Sequence, residues 1–159
     1  LVAGAAAASA FDVYSYWEPP LVGAGGSAAV ADDATSVPLN PAGLAAAHGF
    51  NGYISRNVRD LGPGDFHGYL ETLVGGFGYD WTDARDENVR ASRFSWTYGA
   101  PVYRWVGLGA GLNRLAASKP YLTSAWTVDA GVLLRPSPFI SFGATARNLN
   151  EPRFLRRVE

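Results

Sequence analysis

Asp32 and Asp33 are the residues whose types and spacing most invite a chemical reading, as paired acid and base or as metal ligands. Adjacent carboxylates on a non-helical segment point in different directions, and neither a histidine nor a third carboxylate stands near in sequence to complete a site. The expectation is therefore that both aspartates hydrogen-bond turns and caps. His48 and His67 are the two histidines, and cysteine is absent, which excludes disulfides and thiolate metal sites. With no serine or carboxylate arrangement around them they form neither a triad nor a zinc site, and are expected at a helix end and a strand end. Asp80, Asp83, Asp86 and Glu87 read as a solvated acidic loop, because the spacing lacks the glycine and closing glutamate of a calcium loop. Gly23, Gly25 and Gly26 are followed by no Lys-Ser/Thr and flanked by no strand-helix unit, so they imply a tight passage of backbone and not a phosphate cradle. No enzymatic constellation, metal or cofactor is expected.

The elements that position these residues are written in the composition. Among 159 residues there are 19 glycines, 13% aromatic residues and only 17% charged ones, below the roughly 25% charged of an average soluble domain. That balance points to β structure. The longest apolar stretches fall short of the roughly 18 residues a membrane helix needs, so any membrane insertion must use strands. A formal net charge of −1 argues against nucleic acid as a partner; the one basic cluster is Arg153, Arg156 and Arg157. Methionine is absent, and residues 1–10, LVAGAAAASA, read as the end of a signal peptide, with Ala8-Ser9-Ala10 as a small-x-small cleavage site. An Ala-rich helix start is the alternative. The signal reading places the mature start near Phe11 and makes the protein an exported one.

From Phe11 to His48 no period of 2 or 3.6 is sustained, and the region reads as irregular. Asn40 is a helix cap with Pro41 at the first helical position, which predicts a short helix over Pro41 to Ala47 with Gly49 as its stop. From Phe50 onward the chain alternates with period 2 between turn residues. Val106, Leu108, Ala110 and Leu112 share a face opposite Gly107, Gly109, Gly111 and Asn113, and the segments around Phe94, Trp126 and Ile140 repeat the pattern. His67 to Trp81 is predicted to break at Val74-Gly75-Gly76, for about seven strands by count. The links alternate in length: Arg59–Phe66 long, Val74–Gly76 short, Thr82–Val89 long, Pro101–Arg104 short, Ala116–Leu122 long, Arg135–Pro138 short. Up-and-down transmembrane barrels show this asymmetry, with short periplasmic turns and longer external loops. The long links then carry Asp60, Asp65, Asp83, Asp86, Glu87 and Lys119 outside. Tyr79, Trp81, Trp96, Tyr98, Tyr103, Trp105, Tyr121 and Trp126 fall near strand ends, where an interfacial belt needs them. On this reading Asn113, Thr127, Asp129, Ser141, Thr145 and Arg147 face the lumen. A secreted soluble β-sandwich with its apolar faces packed together would also alternate, and an exported hydrolase lacks a recognisable constellation.

Gly23 to Leu44, GAGGSAAVADDATSVPLNPAGL, resembles the N-terminal signature of the FadL and PorV-like superfamily of outer-membrane proteins, through Gly25, Gly26, Ala29, Ala31, Asp32, Asp33, Ala34, Asn40, Pro41, Ala42, Gly43 and Leu44. Leu134-Arg135-Pro136-Ser137-Pro138, then Ser141-Phe142-Gly143 and Arg147 to Pro152, is similar to the strand-turn-strand that PorV-type proteins repeat. The resemblance implies an all-β, antiparallel up-and-down transmembrane β-barrel in the cell outer membrane, of about fourteen strands in the FadL type. About seven strands here make the barrel incomplete, so partner strands are expected beyond Glu159, where a fused soluble domain is also conceivable and would make this region an anchor. Residues 11–49 become a hatch-like segment carrying Gly25, Gly26, Asp32, Asp33, Asn40, Pro41, Ala42 and Gly43, and residues 50–159 the first part of the barrel. The implied partners are outer-membrane lipid together with hydrophobic small molecules or a secretion-system component.

Overall fold

The period-2 alternation becomes a single antiparallel meander. The computed structural model describes residues 31–47, 49–59, 62–73, 75–84, 89–118 and 124–150. Strands β1 (Asn51–Arg59), β2 (Gly62–Thr72), β3 (Gly75–Ala84), β4 (Val89–Tyr103), β5 (Val106–Ala117), β6 (Ala125–Ser137) and β7 (Ile140–Ala146) lie in sequence order. Each pairs antiparallel with the next, and the seven form a curled half-barrel sheet with β1 and β7 as its edges. The predicted break within His67 to Trp81 falls between Thr72 and Gly75.

Two expectations about connections are corrected. The link Arg59–Phe66 is not long: pairing continues past a bulge between Arg56 and Val58 to Val58↔Pro63 and Arg59↔Gly62. The extra residue of a bulge lets a ladder resume where side-chain alternation has lapsed, and alternation was the only guide to the strand's end. Elsewhere the asymmetry holds: one rim carries the links 85–88 and 118–124, and the other the links 73–74, 104–105 and 138–139. Asp65, Asp80 and Asp83 do not belong to solvated loops but are buried within β2 and β3. Asp60, Asp86, Glu87, Lys119 and Tyr121 lie outside the described residues, as do His48 and residues 1–30.

N-terminal to the sheet, a four-residue helix α1 (Ser36–Leu39) leads through Asn40 into a 3-10 helix at Pro41–Ala45. The predicted helix thus starts where expected, at Pro41, and is tighter and shorter. Its i+3 bonds run on to Ala46 and Ala47, whose amides donate to the Gly43 and Leu44 carbonyls. Helix α1 was not expected, since one turn containing Pro38 leaves no periodic trace.

The sheet has two faces of opposite character. One is covered by residues 31–47: α1 packs on β2, β3 and β4, and the 3-10 helix on β4, β5 and β6. Most of its side chains are polar or absent, with Glu71, Arg93, Ser95, Thr97, Asn113 and Thr127 buried alongside a run of glycines, and Tyr69, Ala91, Leu115 and Leu133 are its buried apolar members. The other face is bare and apolar, carrying Ile54, Leu70, Phe77, Phe94, Trp96, Leu108, Leu112, Trp126, Val128 and Phe142 exposed to solvent. Ordinary half-buried sheets have the reverse arrangement.

The covered face is bare of side chains where the segment crosses. A Cβ on Gly109 would stand 2.2 Å from the Pro41 carbonyl carbon, and one on Gly131 2.0 Å from Asn40 Oδ1. At Gly109 backbone thus lies directly on backbone, and at Gly131 the Asn40 side-chain amide lies on it, approaches that only glycine permits. Overpacking of this kind costs about 1–3 kcal/mol, so Gly109→Ala is expected to raise amide hydrogen exchange across 31–47 by roughly 5- to 150-fold. Gly52→Ala, with nothing within 4 Å of the new Cβ, should leave exchange there unchanged. Unaltered protection in Gly109→Ala would show that the segment does not sit on this strand.

Candidate functional site

The covering segment is held by its own sequence before it is held by the sheet. Asp33 Oδ1 accepts from the Thr35 amide at 2.8 Å and the Thr35 hydroxyl at 2.6 Å, closing the turn that starts α1. Asn40 breaks the helical path in an extended conformation (φ −156°, ψ 106°) and caps the 3-10 helix, its Oδ1 accepting from Ala42 N at 3.1 Å. Pro41 occupies the first helical position, where its missing N–H costs nothing. Asn40 is 0% exposed, and its remaining donor reaches the sheet: Nδ2 donates to the Val132 carbonyl at 3.1 Å. Ala42 is likewise wholly buried, and a Cβ on Gly43 would stand 2.1 Å from the Ala31 carbonyl oxygen.

The sheet supplies complementary groups. Thr145 Oγ1 donates to the Leu39 carbonyl at 3.0 Å and Arg147 Nη2 to the Pro38 carbonyl at 2.9 Å, satisfying acceptors that a one-turn helix leaves open. Arg135 Nη1 pairs with Asp32 Oδ2 at 3.1 Å. Asp129 lies beneath, its Oδ2 accepting from Asn113 Nδ2 at 2.8 Å and its Oδ1 from the Asn148 amide at 2.9 Å. Asn113 Nδ2 also reaches Thr127 Oγ1 at 3.2 Å. The two groups of residues singled out in the sequence therefore meet. Asn113, Thr127, Asp129 and Thr145 lie on the covered face, and Ser141 shares their alternation on β7. Arg147 follows β7, mostly exposed except for its reach to Pro38. Asp32, Asp33, Asn40, Pro41, Ala42 and Gly43 lie above them, while Gly25 and Gly26 fall outside the described residues.

A second cluster went unrecognised in the sequence. His67, Asp80 and Arg93 are in register across β2, β3 and β4. Asp80 Oδ1 contacts His67 Nδ1 at 2.8 Å and accepts from the Tyr69 hydroxyl, while Asp80 Oδ2 accepts from Arg93 Nε at 2.8 Å and lies 2.7 Å from Arg93 Nη2. All four residues are buried, His67 at 2% exposure, so it is an interior strand residue and not the expected strand-end one. Tyr69 also carries α1, packing against Ala34 and Val37. The missed signal was the run Asp65, His67, Tyr69 and Glu71, polar at every second position against Phe66, Gly68 and Leu70. Register then matches each charge to its partner, and register is not visible in one strand alone.

Among the described residues, His67 Nε2, Glu71 Oε1 and Ser95 Oγ of this face and Ser36 Oγ of the covering helix have no hydrogen-bond partner. Glu71 uses its other oxygen to accept from Asn51 Nδ2 at 3.0 Å. The Asp80–His67 contact orients an imidazole as a base would be oriented, but no nucleophile approaches its open nitrogen among the described contacts. Among the described residues no three His, Cys, Asp or Glu side chains converge to hold a metal ion. Chemically the arrangement is a polar, ion-paired surface closed by a seated segment.

Comparison with protein families, with curated proteins and with solved structures finds no match.

Two variants test what holds the site. Asn40→Ala removes a cap and a tether to β6 and is expected to lower unfolding stability by about 1–2 kcal/mol. Arg93→Met strands the Asp80 carboxylate in the interior and should cost about 3–5 kcal/mol in denaturant titration, most of it restored in Asp80→Leu/Arg93→Met. Equal losses in the single and double variants would mean that shape, not the unpaired charge, is what the cluster contributes.

Proposed function

We propose that this chain is part of an outer-membrane β-barrel protein of the FadL/PorV-like group. It acts without catalysis, in uptake of hydrophobic compounds or in a PorV-type role in secretion and surface assembly. The observation that carries the reading is the inversion of polarity across the sheet. Fully burying a large apolar side chain is worth about 1.5–3 kcal/mol, and this sheet leaves ten or more on its bare face while covering its polar one. Lipid is the solvent that makes such a sheet favourable, because a barrel in a membrane turns apolar residues outward and polar ones inward.

Further features agree. Strands β2 to β6 run from 10 to 15 residues, enough for the roughly 9–11 residues a tilted strand needs to cross a bilayer. Aromatics cluster on the bare face, where Tyr79 and Phe94 have ring centroids 4.7 Å apart and Trp96 stacks on Trp126 at 6.1 Å. Trp126 lies at the start of β6 as expected of a belt, whereas Tyr79, Trp96 and Tyr98 stand in the middle of β3 and β4 and not near strand ends. Tyr103 and Trp105 meet edge to face at the rim of short links. Residues 31–47 take the place of a hatch, packed on the face that would line the lumen. The β-sandwich alternative requires a second sheet on the apolar face, and the described strands form one sheet only.

Leu112→Arg discriminates between the readings. In a barrel it places a guanidinium toward the bilayer core, at a cost of about 2–4 kcal/mol. On a soluble sheet the same exposed position tolerates it within about 0.5 kcal/mol. Loss of heat-modifiable gel mobility in the outer-membrane fraction is the expected result, with wild-type protein retaining it. Recovery of the wild-type protein from the soluble periplasm would end the barrel reading.

A further inference from the structure

Two of the short links stand side by side at one rim, joined where the Arg135 amide donates to the Trp105 carbonyl at 2.8 Å. Between them open two adjoining clefts that share Tyr103, Arg104, Trp105 and Arg135. The larger runs on past Ser137 and Phe139 to Ile140, and Asp32 also lines it. Its charge is unbalanced. Arg135 is paired with Asp32, whereas Arg104, exposed at the turn, has no hydrogen bond or ion pair among the described residues. Two guanidinium groups therefore face one carboxylate.

The walls of the cleft are as unusual as its charge. Phe139 is 95% exposed at the tip of its turn, held between Pro138 and Ile140, with Tyr103, Trp105 and Ile140 also exposed around the opening. Ser137 Oγ accepts from the Phe139 amide at 3.4 Å, leaving its hydroxyl proton to donate elsewhere. An occupant that satisfies both halves must be anionic where it meets the arginines and apolar where it meets Phe139 and Ile140. A small inorganic anion would answer the charge and leave the aromatic tip in water. An anionic phospholipid answers both: the arginines bond its phosphodiester by charge-assisted hydrogen bonds, and the aromatic rim sits at headgroup depth, where such residues belong.

We propose that this inter-turn cleft is a binding site for an anionic phospholipid, its phosphodiester held between Arg104 and Arg135 and an acyl chain lying along Phe139 and Ile140. The inference rests on the membrane-barrel reading and adds a specific lipid contact at the rim of short turns.

The test uses the full chain extracted in non-ionic detergent, with bound lipid counted by native mass spectrometry after addition of phosphatidylglycerol or phosphatidylcholine. Both lipids carry a phosphodiester, but the trimethylammonium of phosphatidylcholine meets the two arginines as a like charge, so retention of phosphatidylglycerol should exceed that of phosphatidylcholine by about tenfold. Arg104→Gln should abolish the preference while heat-modifiable mobility stays normal, and Phe139→Ser should weaken retention of both lipids. Arg114→Gln, an outward arginine at the opposite rim lying 5.7 Å over Trp126, should leave retention unchanged. Equal retention of the two lipids, or an unaffected preference in Arg104→Gln, overturns the proposal. Complete displacement of phosphatidylglycerol by millimolar inorganic phosphate also overturns it, showing a solute anion site. A chain that stays soluble and monodisperse without detergent overturns the barrel reading itself, an outcome distinct from the other three.

Discussion

The structure depends on one close approach: the segment Asn40 to Ala42 lies on the sheet so tightly that its backbone excludes a Cβ on Gly109 and the Asn40 side-chain oxygen excludes one on Gly131. Because the sheet presents peptide surface there, Asn40 can spend one side-chain atom on the local cap and the other on Val132, and both stay dry. Groups so deeply buried must be hydrogen-bonded or destabilise the fold. Every neighbouring arrangement follows from this seat. Thr145 and Arg147 reach the carbonyls before Asn40, Arg135 reaches Asp32, and the polar strip from Glu71 to Thr127 is closed off from water by the helices that the seat positions.

The His67–Asp80–Arg93 ladder does a different job under the same cover. Buried ion pairs rarely add net stability compared with apolar packing of the same volume. They do penalise misregistration: sliding β3 by one residue against β2 or β4 would turn Asp80 to the apolar face and leave two partners unmatched. Glycine-rich strands such as β3 and β5, with few large side chains on the covered face to fix them, are prone to such slippage. The ladder and the Asn113–Thr127–Asp129 contacts pin three of the strand pairs, β2–β3, β3–β4 and β5–β6, from the polar side.

How much of this was legible in the sequence varies by physical cause. Strand alternation is a one-dimensional property, so β4 through β7, the break before Gly75 and the lopsided links 85–88 and 118–124 could be read from periodicity alone. Asn40-Pro41 was equally legible, since a cap is local and its partners are two residues away. The bulge at Arg56/Val58 was not, because ladder hydrogen bonds join backbones whose side chains have stopped alternating. Nor was the ionic cluster: Asp80 reads as the start of an acidic loop until β2 and β4 are set beside it. Helix α1, a single turn in an Ala-, Pro- and Asp-rich stretch, exists because the covered face gives its apolar side somewhere to go.

Seven strands paired only with their sequence neighbours have a geometric consequence. Since each is antiparallel to the last, β1 and β7 point the same way. A ring in which every seam is antiparallel therefore has to insert an odd number of strands between those two edges, from whatever chain supplies them. Two copies of this sheet related by rotation about a common axis would instead meet at two parallel seams, with bonds slanted and slightly weaker than those of the other twelve pairings. Any closed assembly containing this sheet can thus be sorted by the handedness of traffic across its seams.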